Sequence, residues 1–119
     1  MSAPLVMVRR MNLLHELVVG NASAVTAIVE ASRDSEDPTI LVAASLFSPD
    51  AERLLARAEA LAETTRDRQL VAIAAAHRRG ERDVVDALAR DHLVDYPESI
   101  LAAWIADVSQ QQTSDKERP

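Results

Sequence analysis

The sequence contains no cysteine, only two glycines and only three aromatic residues among 119 positions. The absence of cysteine excludes disulfide bonds, thiolate metal sites and cysteine nucleophiles, and it is typical of a reducing, cytoplasmic environment. Two glycines are too few to form a glycine-rich loop that binds phosphate. Because Ala, Leu and Val dominate and aromatic residues are scarce, the composition favours an all-helical fold over a sandwich or a barrel.

Long apolar runs are absent as well. Near the N-terminus, Arg9 and Arg10 divide the apolar residues, and His15 and Glu16 interrupt those that follow. No run approaches the roughly 20 residues of a membrane span, so we expect neither an export signal nor a membrane helix. The net charge of −6 argues against a general affinity for nucleic acid or for an anionic membrane.

An internal period of thirty residues organises the chain. Apolar pairs recur at this step at Ile40-Leu41, Leu70-Val71 and Ile100-Leu101. Turn positions keep the same step at Gly20, Asp50 and Gly80. Such a period is typical of stacked helical units, and apolar spacings of three and four residues predict two helices in each unit. The sequence therefore predicts one domain over 1–111, a short right-handed α-solenoid of about seven helices paired as antiparallel hairpins.

Glycine and proline set the predicted helix boundaries. Gly20 and Gly80 stand where a residue in the left-handed conformation ends a helix. Pro38 and Pro49 each follow a capping residue and are expected at the first position of a helix, whereas Pro97 separates the last two helices. The polar segment 112–119 is expected to be a disordered tail. The predicted helices are 4–19, 22–33, 38–47, 49–64, 67–79, 82–95 and 98–111.

Alanine is frequent at positions that the repeat relates. Ala27 and Ala87 are separated by twice the step, and so are Ala43 and Ala103. Because a methyl side chain lets two helices approach closely, we expect these positions, together with Ala74, to lie at contacts between helices of the array.

The segment 80–104 has a recognisable order of residues. Gly80-Glu81 precedes an alanine-containing helix, and Tyr96-Pro97 precedes the helix that contains Leu101-Ala102. This order resembles a tetratricopeptide repeat. Within that superfamily the chain is most similar to the family of tetratricopeptide repeat protein 38 and its bacterial relatives. The similarity extends over about 20–105 and includes Asp37-Pro38, Arg66-Asp67-Arg68 and Asp95-Tyr96-Pro97.

The repeat length departs from that superfamily, whose units usually have about 34 residues. The thirty-residue step also suits short HEAT-like repeats, to which the segment 67–76 is loosely similar. Either resemblance implies a helical scaffold that binds a protein or a peptide. Neither implies catalytic residues.

The histidines are His15, His77 and His92, and no two of them have the helical spacing of about three or four residues that a metal site favours. His92 has Asp91 and Asp95 nearby in the sequence, and one hypothesis is a His/Asp pair on one helix face. The alternative is that His92 is a partly buried repeat position, which we favour. With no serine in a nucleophile-elbow setting, we predict a protein that is not an enzyme and has no metal or cofactor.

A basic cluster of Arg78, Arg79 and Arg82 surrounds Gly80. These arginines predict a contact for an acidic peptide, a partner's carboxylates or a phosphate. Alternatively, Arg78 and Arg79 offset the dipole at the end of a helix, and we favour this second interpretation. Trp104 is expected in the core; if exposed beside Ile105 and Val108, it would mark an apolar surface for association.

We therefore expect a protein-interaction module, either an adaptor or a small assembly subunit. Its candidate partner-binding residues are Arg78, Arg79, Arg82, His92 and Trp104. Because open ends of a solenoid expose apolar faces, a homo-oligomer formed through those ends is also expected. The alternative function is a small nucleic-acid-associated regulator that uses the arginine cluster, against which the acidic net charge speaks.

Overall fold

The computed structural model describes the backbone of residues 14–117 and the side chains of residues 14–111. This part of the chain contains helices and turns and no strand, which confirms the predicted all-helical class. The first predicted helix, 4–19, lies largely outside the described residues. The observed helices are α1 (14–18), α2 (Ala22–Ala31), α3 (Pro38–Ser45), α4 (Ala51–Leu61), α5 (Thr65–Arg78), α6 (Arg82–Asp95) and α7 (Ile100–Glu117).

The two glycine turns have the same structure. Gly20 and Gly80 have positive φ angles of 92° and 74°, a conformation that costs glycine least. The N–H of Gly20 donates to Leu17 O at 3.1 Å, and the next N–H donates to Glu16 O at 3.0 Å. Gly80 repeats this pair of bonds to His77 O and to Ala76 O at the same two distances. Both turns are therefore Schellman motifs, and the prediction that a left-handed glycine ends each of these two helices is confirmed.

Side chains cap several helix starts. Asp37 accepts from the N–H of Thr39 at 2.9 Å, so Pro38 opens α3 as predicted. The expectation for Pro49 is wrong, because α4 begins at Ala51. The Ser48 hydroxyl accepts from the N–H of Asp50 at 3.1 Å, and this local bond favours a turn over an earlier helix start.

Helix α5 begins at Thr65, two residues before the predicted start at 67. The cause is Thr64, whose hydroxyl accepts from the N–H of Asp67 at 3.0 Å and satisfies a donor of the first turn. Helix α7 begins at Ile100 and continues to Glu117, whereas the sequence predicts a helix end at 111 followed by a disordered tail. No glycine or proline interrupts the chain between Ile100 and Pro119, so nothing in the sequence stops the helix earlier.

Helix α5 contacts both α3 and α7, and we call these three helices the layer. Helix α4 packs on α3, and α6 packs on α5. Six consecutive residues of α3, Ile40 to Ser45, are buried because α2, α4 and α5 all contact this short helix. The largest fully buried apolar side chains are Leu17, Ile28, Leu41, Ile73, Leu101 and Ile105.

The repeated alanines separate into two groups. Ala43 and Ala74 are buried in the core, as expected. Ala27, Ala87 and Ala103 are exposed, so the expectation of close packing at these three positions is wrong. Among the described residues, no helix combines the length and the apolar character needed to cross a membrane.

Candidate functional site

The Gly80 turn brings the predicted basic cluster together. Arg78 is the last residue of α5, Arg79 is its C-cap, and Arg82 is the first residue of α6. Nη2 of Arg78 lies 3.8 Å from Oε1 of Glu52 on α4, and Nε of Arg79 donates to Oε1 of Glu81 at 2.9 Å. Arg78 and Arg79 therefore occupy the end of α5, where a cation offsets the helix dipole, and each faces a carboxylate of its own chain.

A shallow groove between α4 and α5 begins at the same arginines. Leu55, Val71 and Ala75 form its apolar floor, and Arg78 and Arg79 stand at one end. The exposed carboxylates of Glu52 and Glu59 lie along its α4 side. Two arginines and two glutamates therefore border this mixed-charge groove, and their formal charges cancel.

His92 is fully buried on α6, at 0 % exposure. Its Nδ1 lies 2.8 Å from Oε1 of Gln69 on α5, and its Nε2 lies 3.2 Å from the hydroxyl of Ser99, which precedes α7. With the Gln69 oxygen as acceptor, Nδ1 of the neutral ring carries the hydrogen and Nε2 accepts from Ser99. The ring also packs on Tyr96 at 5.0 Å between centroids, and the guanidinium of Arg66 lies 5.6 Å from the Tyr96 ring.

The surroundings of His92 favour its neutral form. Burial lowers the pKa of His92, the positive charge of Arg66 lowers it further, and the carboxylates of Glu98 and Asp95 oppose these effects. Because its side chain has no exposed surface, His92 does not contact a partner in this conformation. Its place among the predicted partner-binding residues is corrected accordingly: it joins α5, α6 and the start of α7.

Sequence reasoning missed the partners of His92, although the repeat carries a signal for them. Thr39, Gln69 and Ser99 share one column of the thirty-residue register, each directly before an apolar pair. Two members of this polar column, Gln69 and Ser99, are the residues that bond to His92. A polar residue that recurs beside core positions therefore indicated a buried polar contact.

A second histidine contact also escaped the sequence analysis. Nδ1 of the half-buried His77 on α5 lies 2.6 Å from the hydroxyl of Ser109 on α7. Burial lowers the pKa of His77. The two residues are not related by the thirty-residue step, so the pattern held no signal for this bond. The contact joins the C-terminal end of α5 to the middle of α7.

Trp104 is half-buried and packs against the core, close to its predicted place. Its ring lies 5.6 Å from that of Phe47, which follows α3 and is 39 % exposed. The alternative surface of Trp104 with Ile105 and Val108 does not form, because Ile105 is fully buried. Within residues 100–111 of α7, the exposed positions are Ile100, Ala103, Asp107, Gln110 and Gln111, and Ile100 is the one large apolar side chain among them.

Within the described side chains, no group of three or more His, Asp and Glu residues is arranged to hold a metal ion. Comparisons of the chain with protein-family models, with curated proteins and with solved structures find no match. The resemblance to tetratricopeptide repeats therefore stays a prediction, and so does the alternative resemblance to HEAT repeats.

Proposed function

We propose that the chain is a non-enzymatic protein-interaction module, either an adaptor or a small assembly subunit. In this proposal its helices form a short right-handed α-solenoid of tetratricopeptide-like hairpins with a thirty-residue step. Two observations support the architecture: α3, α5 and α7 pack in one layer, and the turns at Gly20 and Gly80 have matching hydrogen bonds. Arrays of this kind present extended surfaces that bind other proteins.

The aromatic pair of Phe47 and Trp104 carries the functional proposal. Both rings retain exposed surface, and together they connect the end of α3 with α7 across the layer. Tryptophan and other aromatic side chains supply much of the binding energy of protein interfaces, because they bury large areas at small entropic cost. An aromatic pair that retains exposed surface is therefore a suitable anchor for a partner.

The arginine cluster supports the nucleic-acid alternative less well. Arg78 faces Glu52, and Arg79 is bonded to Glu81, so a phosphate backbone would have to displace or approach these carboxylates. The net charge of −6 opposes the approach of a polyanion. We therefore assign Arg78, Arg79 and Arg82 to the border of a protein-binding surface in this proposal.

Self-association through the array ends is part of the expectation from the sequence. Among the described side chains of α7, Ile100 is the one large apolar side chain that is exposed, so this part of the helix offers little apolar area to another copy and resembles the capping end of a repeat array. The N-terminal end contains residues 1–13, which lie outside the described part of the chain. We therefore do not propose self-association through the exposed face of α7.

Affinity capture from a lysate of the source organism, followed by mass spectrometry, tests this function. We expect proteins retained by the wild type to be lost with Phe47→Ala, because truncating an aromatic anchor weakens binding by roughly tenfold or more. Val94→Ala is the matched control, since Val94 is 77 % exposed on α6. The double variant Arg78→Glu with Arg79→Glu tests whether the arginine cluster at the border of this surface contributes to partner binding. Arg90→Glu is its control. If every variant retains the same proteins as the wild type, the proposal that this surface binds a partner is wrong.

A further inference from the structure

Three arginines from two separate segments of the chain line one groove. Arg33 comes from the connection between α2 and α3, while Arg53 and Arg57 lie on successive turns of α4. We call this feature the arginine groove. The fold brings them together, since Arg57 of α4 reaches the backbone of Ser32 and Ser35 beside Arg33.

Arg57 is held in a fixed position within the arginine groove. Its Nη1 donates to Ser32 O and its Nη2 donates to Ser35 O, both at 2.9 Å. Both acceptors are neutral backbone carbonyls, so the positive charge of the guanidinium is not cancelled by a carboxylate. A guanidinium has five N–H donors, and these two bonds leave others for a ligand. The half-buried Arg57 is therefore a preorganised cation.

The other two arginines are more accessible. Arg33 has one distant contact with Glu30, at 3.6 Å between two exposed side chains, and such a pair contributes little. Arg53 is exposed and precedes Arg57 by one helical turn, a spacing at which like charges repel. Asp50 is the acidic residue in the groove lining, so positive charge exceeds negative charge there although the whole chain has a net charge of −6.

The groove also has an apolar wall formed by Val29 and Leu54. From this combination we infer that the arginine groove binds an acidic segment of a protein partner, one that alternates carboxylate and apolar side chains. The inference rests on the proposed function and specifies the chemistry of the partner. Carboxylates match the forked donors of arginine, and apolar side chains match the wall. A nucleic acid backbone has no counterpart for this wall, and the net charge of the chain repels it over longer distances.

Fluorescence anisotropy with defined probes tests the inference. The probes are a labelled peptide of alternating Glu and Leu, the same peptide with Lys in place of Glu, and a short DNA duplex. We expect the Glu peptide alone to bind, more weakly at high salt because exposed charges are screened. Arg33→Gln with Arg53→Gln is expected to reduce its affinity by about tenfold. These two positions are exposed, so Arg57 and its structural bonds stay intact.

Two further variants make the test specific. Arg68→Gln with Arg90→Gln removes the same charge from exposed positions elsewhere and is expected to leave the affinity of the Glu peptide within about twofold. Asp50→Asn is expected to increase that affinity, because it removes the carboxylate from the groove lining. Asp50 makes no side-chain capping bond, so this change is expected to leave the helix start intact.

Several results would overturn the inference. These are equal affinity in the Arg33/Arg53 variant, an equal loss in the control variant, preference for the Lys peptide, or DNA binding that depends on Arg33 and Arg53. In each case the capture of partners through Phe47 is a separate result. A partner that is lost with Phe47→Ala but binds without the arginine groove would support the proposed function and reject this partner chemistry.

Discussion

Gln69 on α5 accepts a 2.8 Å hydrogen bond from Nδ1 of the fully buried His92 on α6. Ser99 completes the arrangement by bonding to the other ring nitrogen. Neutral His92 therefore satisfies both of its nitrogens without water. A charged imidazolium in the same place would have to be desolvated, and it would lie near the positive charge of Arg66.

This arrangement predicts that the protein becomes less stable in mild acid. Because the pKa of His92 is lowered on folding from its ordinary value of 6.5, the unfolded chain binds a proton more readily than the folded chain. The contribution of neutral His92 to the free energy of unfolding is fully present above about pH 6.5. It falls as the pH drops below that value and levels off once the pH is below the pKa of His92 in the folded chain. His77, whose pKa is lowered by burial, contributes with the same sign.

Urea unfolding followed by circular dichroism at a series of pH values checks the prediction. His92→Gln is expected to reduce the pH dependence below about 6.5, because the titrating group is removed. His15→Gln serves as the control, since His15 is exposed on α1. An unchanged pH dependence in His92→Gln would contradict the assignment.

Ser109→Ala is expected to destabilise the fold by about 1 kcal/mol. The substitution removes the hydroxyl that lies 2.6 Å from Nδ1 of His77 and leaves a half-buried ring nitrogen without this partner. The free energy of unfolding from urea titration measures the effect. Ser23→Ala, at an exposed position, is the matched control and is expected to change stability by less than about 0.5 kcal/mol; equal effects of the two substitutions would argue against the bond.

Gly20→Ala and Gly80→Ala are expected to cost about 1 kcal/mol each. A Cβ at either position meets nothing within 4 Å, so the cost comes from the positive φ angle alone. The matching turns predict similar losses of unfolding free energy at the two sites, with smaller losses for asparagine, which tolerates this conformation better. Asp50→Gly is the comparison at the third turn position of the thirty-residue step. Because Asp50 has a negative φ of −90°, glycine is not expected to stabilise this turn. Clearly unequal losses at Gly20 and Gly80 would contradict their equivalence.

Arg57→Lys is expected to destabilise the protein by roughly 1–3 kcal/mol. Lysine keeps the charge but cannot donate through a planar fork to the carbonyls of Ser32 and Ser35 at once. Thermal or urea unfolding measures the loss. Arg53→Lys, one turn earlier on the exposed side of α4, is the control and is expected to be nearly neutral; a neutral effect at Arg57 would show that these two bonds add little.

The sequence predicted features that depend on local geometry. Gly20 and Gly80 were identifiable because positive φ angles favour glycine, and Pro38 was identifiable because proline fits the first position of a helix. Pro49 followed the same rule but was wrong, since the Ser48 hydroxyl stabilises a turn. Local rules failed where a side-chain hydrogen bond offered the backbone an alternative.

Features that depend on packing were harder to predict. Identity at a step of sixty marked both Ala43, which is buried, and Ala27, which is exposed, because a repeat preserves surface positions as well as core positions. The contact of Arg57 with Ser32 joins residues 25 positions apart. Periodicity gives the spacing of helices along the chain but not the rotation of each helix against its neighbours, and that rotation decides which side chains meet.

The contact of Trp104 with Phe47 provides an intrinsic fluorescent probe of helix packing. Trp104 is the single tryptophan in the sequence, and its aromatic neighbour belongs to a distant part of the chain. Its fluorescence emission therefore responds when α3 and α7 come together, whereas far-ultraviolet circular dichroism responds to helix formation anywhere. If both signals change together during refolding, the helices and their layer form in one cooperative step; a lag in the fluorescence would mean that helices form before they assemble.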